Sequence, residues 1–122
     1  MSKSPYQAYG VSSKLGLSGR ALEAQAFTMS AQKLQEAHDN ADNRALVMKA
    51  LRYNNRLWTV VQTELTDPNS TVPEDVKAGM LSLSLFVDER TREAIASPDA
   101  GLLDALIEIN RNMALAQLSN KK

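Results

Sequence analysis

Between Asn43 and Leu65 apolar residues recur at helical spacing, and one position in that series is an asparagine. Val47, Leu51, Asn54, Trp58, Val61 and Leu65 are separated by four, three, four, three and four residues, which puts all six on one side of an α-helix. A polar amide in such a seam costs about 1–3 kcal/mol unless another group answers it. The fold must therefore bring a partner to Asn54. Asn110, followed by Arg111, lies in a second apolar series made of Leu102, Leu106, Ile109, Met113 and Ala116, so the two segments are expected to face one another. Leu46, Ala50, Tyr53, Leu57 and Val60 widen the first seam. A face that broad on a helix of roughly 33 Å predicts a central element touched by more than one neighbour.

The remaining segments are organised around that helix. Residues 1–17 hold Gly10, Gly16, four serines and a proline, and they predict a flexible N-terminal arm. Tyr6, Tyr9, Val11, Leu15 and Leu17 leave two readings of the arm, an unstructured terminus or a segment that folds onto a partner. From residue 18 to 122 one helical domain is expected. Its first helix follows Ser18 as N-cap and runs to about His38, with a thin apolar side of Leu22, Ala26, Met29, Leu34 and Ala37 beside Phe27. Asp42 is the expected N-cap of the second helix. Thr66 to Ser70, with Pro68 and Asn69, forms a turn. Thr71 and Glu74 have capping-box spacing, with Pro73 in the first turn of a third helix whose predicted seam is Val76, Met80, Leu83 and Val87. Leu81-Ser82-Leu83-Ser84-Leu85 alternates with period two, yet a lone strand would find no partner for its backbone groups, and helix is preferred. Asp88 to Glu93 reads as a solvated face of that helix. Ser97 as N-cap and Pro98 as first residue open a fourth helix ending near Leu118. The expected fold is all-α, a single-domain antiparallel bundle of about four helices.

Composition removes several kinds of chemistry. The chain has no cysteine and a single histidine, His38, so thiolate zinc sites, disulfides and His-dependent triads have little to draw on. Gly10, Gly16 and Gly19 match no phosphate-cradling spacing. No enzyme activity, cofactor or metal is expected. No apolar run is long enough to span a bilayer, and the first residues lack a signal peptide's apolar stretch. A cytoplasmic location is therefore expected.

The net charge of zero hides an asymmetry. Residues 1–63 carry eight Lys/Arg against four Asp/Glu, residues 64–108 three against ten, and residues 109–122 three against none. Lys49, Arg52 and Arg56 lie on one side of the second helix, and no acidic residue occurs from Asn43 to Thr63. This basic face is either solvated and paired within the chain, or a contact for RNA phosphates or an acidic protein surface. Sequence-specific readers of single-stranded RNA add exposed stacking aromatics, whereas Tyr53 and Trp58 fall on the apolar side. Asn54 and Asn110, with Trp58, form either a structural polar core that sets helix register or the floor of a peptide groove. The structural reading is preferred. Arg56 and Arg111 beside them, and Tyr6 and Tyr9 in the arm, are the remaining candidates for partner contact.

Four pieces of the chain match one family in order: Arg20-Ala21-Leu22-Glu23-Ala24, Asn55-Arg56-Leu57-Trp58, Leu81-Ser82-Leu83-Ser84-Leu85-Phe86-Val87, and Leu106-Ile107-Glu108-Ile109-Asn110-Arg111-Asn112-Met113. The chain resembles FlaF, the flagellar biosynthesis regulators of alphaproteobacteria. The resemblance implies a small non-enzymatic protein that binds flagellin as an export chaperone. It further implies that such a protein promotes flagellin synthesis and secretion together with the regulator FlbT, which is linked to flagellin messenger RNA. The alternatives are an RNA-binding translational regulator and a structural adaptor to FlbT.

Overall fold

A computed structural model describes residues 19–97 and 99–119. The expected arm, with Tyr6 and Tyr9, lies outside them, as do Ser18 and Pro98. Four helices follow one another: α1 over Gly19–Asp39, α2 over Arg44–Thr66, α3 over Glu74–Ala96 and α4 over Ala100–Ser119. Contacts across the bundle set their directions. Ser30 of α1 meets Asn54 of α2, Gln62 of α2 meets Ser84 and Asp88 of α3, and His38 and Gln35 of α1 meet Asp104 and Arg111 of α4. From Gln35 to His38 the α4 partner falls from Arg111 to Asp104. From Phe27 through Ser30 to Lys33 the α2 partner falls from Trp58 through Asn54 to Tyr53, so α1 runs antiparallel to both α4 and α2. The described residues form an up-and-down four-helix bundle.

The helix ends depart from the expected caps in ways the local hydrogen bonds explain. Asn43, one residue past Asp42, caps α2 by accepting from the Leu46 amide at 3.1 Å. The Thr71 to Glu74 capping box does not form: Pro73 occupies the N-cap position of α3 without a side-chain cap bond, and the Ser70 hydroxyl accepts from the Val72 amide instead. Ser97 closes α3 and does not open α4, its amide donating to the Glu93 carbonyl at 2.9 Å. Asp99 starts α4, its carboxylate accepting from the Gly101 amide at 2.7 Å and its carbonyl from the Leu103 amide.

The core lies where α1, α2 and α4 converge. All six residues of the α2 seam are buried, together with Ala50 and Leu57. The α1 and α4 seams are rotated from the expected ones. α1 turns in Ala24, Phe27, Ser30, Ala31, Leu34 and Ala37, and leaves Met29 44% exposed. In α4 the inward residues are Leu103, Leu106, Ile107, Asn110, Met113 and Ala114, while Leu102 and Ile109 are half-buried and Ala116 is exposed. Alanines on both helices let their backbones approach closely, and α1 with α4 makes the most extensive contact in the bundle.

α3 is held differently. Its inward residues are Ser84, Val87, Thr91 and Ala94; of the predicted seam Val87 is buried, Met80 and Leu83 are half-buried against the core, and Val76 is 49% exposed. The Ser84 and Thr91 hydroxyls donate to carbonyls of their own helix, Leu81 and Val87, which satisfies them without help from α2. Gln62 reaches across from α2, donating to Ser84 Oγ at 3.1 Å and to Asp88 Oδ2 at 3.0 Å. Asp88, expected on a solvated face, is thus half-buried and bonded. α3 is joined to α2 by small and polar groups more than by large apolar ones.

Candidate partner-binding surfaces

The buried polar cluster spans three helices. Asn54 Oδ1 accepts from Ser30 Oγ at 2.9 Å and from Asn110 Nδ2 at 2.7 Å. Asn110 Nδ2 also lies 3.2 Å from Ser30 Oγ, and Asn110 Oδ1 accepts from Trp58 Nε1 at 3.0 Å. Ser30, Asn54, Trp58 and Asn110 are all fully buried, and Phe27 packs at a tilt on the Trp58 ring, 5.6 Å between centroids. Because α2 and α4 stand diagonally, the Asn54–Asn110 bond crosses the bundle axis. Fully buried among the described residues, these groups link α1, α2 and α4 to one another. Ser30 was not singled out from the sequence: its position between Phe27 and Leu34 carried a signal only once the inward side of α1 was known.

The broad apolar side of α2 is consumed by this core. Met29 on α1 and Leu115 on α4 are exposed singly, whereas α3 exposes Val76, Leu85 and Phe86, the last two from the Leu-Ser-Leu-Ser-Leu-Phe stretch. At about 100° per residue, a period of two turns each successive leucine to nearly the opposite side of a helix, so the leucines cannot all be buried. The structure turns Ser84 in and Leu85 out: Leu85 is 66% exposed and Phe86 42%, with Ala78, Gly79 and Ser82 exposed before them. No charged residue occurs from Ala78 to Val87. Charges stand at both ends of the strip. Glu74 and Asp75 occupy the first turn. Beyond Phe86, Arg90 lies over that ring at 4.9 Å and pairs with Glu93 at 3.1 Å and Glu89 at 3.5 Å.

The basic face of α2 is also in place. Lys49, Arg52 and Arg56 are exposed, and none has an ion-pair partner among the described residues. Tyr53 is half-buried with the Lys33 ammonium 5.1 Å above its ring. Neither it nor Trp58 is placed for base stacking. Arg111 is exposed on α4 and donates to Gln35 Oε1 at 3.2 Å. His38, in the last turn of α1, stands between Asp39 and Asp104 at 3.2 and 3.3 Å and links α1 to α4. At the far end of α2, burial and then the neighbouring Asp67 push the Glu64 carboxyl above its ordinary pKa.

Among the described residues no group of three or more His, Cys, Asp or Glu could hold a metal ion, and no helix is long and apolar enough to cross a membrane. The family described as flagellar protein FlaF matches residues 5–116. The chain belongs to the FlaF family. No curated protein and no solved structure matches it. Family membership makes this a flagellar protein, and within the FlaF-matched span both the apolar strip of α3 and the basic face of α2 face solvent.

Proposed function

We propose that this FlaF-family protein binds flagellin as an export chaperone and, with FlbT, promotes flagellin synthesis and secretion. It is a non-enzymatic, cytoplasmic protein that works without cofactor or metal. Its ligand is an amphipathic helix of flagellin laid along the outside of α3. One observation carries the reading: an uncharged stretch from Ala78 to Phe86 that keeps Leu85 and Phe86 in solvent on a helix with charges at both ends. Exposed apolar strips of this kind mark interaction sites, and Ala78, Ser82 and Leu85 have the i, i+4, i+7 spacing by which one helix anchors another.

The test is a calorimetric titration of the full chain with monomeric flagellin at low and high salt, with flagellin leader RNA as a parallel titrant. Flagellin is expected to bind about equally at both salts, and Leu85→Asp with Phe86→Asp should weaken binding at least tenfold while thermal unfolding is unchanged. Absence of flagellin binding, or wild-type affinity in the variant, overturns the reading. A translational regulator that contacts RNA through Lys49, Arg52 and Arg56 is the second reading, favoured by their exposure without ion-pair partners. It requires leader-RNA binding that falls steeply with salt and disappears in Arg52→Glu with Arg56→Glu. An adaptor would bind FlbT and neither flagellin nor RNA.

A further inference from the structure

We infer that the outward face of α3 pairs antiparallel with the same face of a second copy of the chain, covering the strip when no partner is bound. The masking role rests on the reading that flagellin docks there; the pairing itself rests on the pattern of α3. Helical geometry at about 3.6 residues per turn centres Ser82 on the exposed face. Ala78 and Leu85 fall to one side of it, and Gly79 and Phe86 to the other. A two-fold axis through Ser82 reverses the helix but keeps each side facing its own counterpart, as an isologous contact requires. Leu85 then lies opposite Ala78 of the other copy, and Phe86 opposite Gly79. Large meets small on both sides. At Gly79 a side chain would meet nothing within 4 Å, so a ring from the other copy has open space to enter.

The charges follow the same symmetry. Glu74 and Arg92 share the side of Ala78 and Leu85, and the axis at Ser82 brings them level to within about 3 Å along the helix. Glu74 is 90% exposed with only a 3.7 Å approach from Lys77, and Arg92 is exposed with no ion-pair partner among the described residues. Asp75 comes level with both Glu89 and Arg90, so one like-charge approach is offset by one opposite. Two helices meeting over about five turns bury less than the roughly 1,200 Å² of a stable interface. The association is therefore weak and reversible, as a cover that must yield to a partner has to be.

Three measurements on the full chain test this. Sedimentation equilibrium up to about 500 μM should show a weak dimer. Arg92→Glu and Glu74→Arg should each weaken it at least fivefold, and the double variant should return to within about twofold of the parent, because the pair is then restored with its sign reversed. The chain has no cysteine, so Ser82→Cys tests the axis directly: a residue on the axis faces itself, and oxidation should give a disulfide-linked dimer, while Thr59→Cys on α2 should not. A chain monomeric throughout with Ser82→Cys no faster to cross-link than Thr59→Cys, or a double variant no tighter than the singles, overturns the pairing. Adding flagellin separates the two readings. Flagellin that dissociates the dimer supports the cover; flagellin that binds and leaves the dimer intact overturns it. A dimer that forms as described while flagellin fails to bind overturns the chaperone reading and leaves the pairing standing.

Discussion

Asn54 shows how one residue sets terms for three helices. Its carbonyl accepts two hydrogen bonds, while its Nδ2 has no partner among the described residues. The side chain is therefore worth more for the register it enforces than for net stability. Asn110→Ala removes one partner from Asn54 and the acceptor of Trp58 Nε1, and is expected to lower stability in urea by about 2–4 kcal/mol. The double variant Asn54→Ala with Asn110→Ala should cost clearly less than the sum of the two singles, because each single already destroys the shared bond. Strict additivity in the melts would show that the amides act independently. Glu64 offers a test through pH. Its folded pKa is raised, so the folded chain binds the proton more tightly than the unfolded chain, and this group favours folding increasingly as pH falls through the carboxylate range. Above that range the ionised carboxylate is mildly destabilising, partly buried near Asp67 and at the negative end of the α2 dipole. Glu64→Gln should therefore stabilise by a few tenths of a kcal/mol at neutral pH, since solvent screens most of the effect. The gain should vanish below the usual glutamate range, and urea melts at the two pH values decide it.

At the scale of elements, Gly79 and Gly101 make different predictions. Gly79 lies within α3 with nothing within 4 Å of an added Cβ, so Gly79→Ala should stabilise by about 0.5–1 kcal/mol through helix propensity and a less flexible unfolded chain. Gly101 lies in the first turn of α4, where an added Cβ would come 3.0 Å from Asp99 Oδ1. That oxygen accepts from the Gly101 amide, so Gly101→Ala sets the propensity gain against a disturbed cap and should stabilise clearly less than Gly79→Ala in parallel thermal melts. The same comparison explains why expected caps at Asp42, Thr71 and Ser97 gave way to Asn43, Pro73 and Asp99. Ser, Thr, Asp and Asn are all able to cap, and they cluster at each of these turns. Which of them accepts the amide is settled by how the linker must run to reach the next helix.

For the whole molecule, the consequence is uneven stability. α1, α2 and α4 share the large buried side chains Phe27, Leu34, Leu51, Trp58, Leu103 and Leu106, whereas α3 contributes only Val87 and Ala94 among its buried apolar residues. Amide hydrogen exchange should therefore find α3 protected least, opening in sub-global events before the other three helices. Equal protection across all four would mean that Gln62, Ser84 and Asp88 bind α3 more tightly than their size suggests. A weakly anchored helix carrying the exposed strip suits a partner site, because α3 can shift to fit a ligand without disturbing the Asn54–Asn110 cross-link.

The sequence alone determined that the chain is all-helical, where its helices run and that Asn54 needs an answering group. Periodicity, prolines and the lack of long apolar runs act through contacts within a few residues, and such contacts are legible in order. The resemblance to FlaF was legible for the same reason, as short motifs in sequence. Tertiary structure alone decided which way each helix faces. In α4, Leu102 and Leu103, or Ile107 and Ile109, are equally apolar, and only the close approach of α1 through its alanines selects Leu103 and Ile107. In α3, leucines on every side leave no local preference. The choice falls to α2, whose Gln62 needs hydrogen-bonding groups opposite it and finds Ser84 and Asp88. Facing Ser84 inward turns Leu85 and Phe86 outward, and the candidate partner surface is the product of that long-range choice.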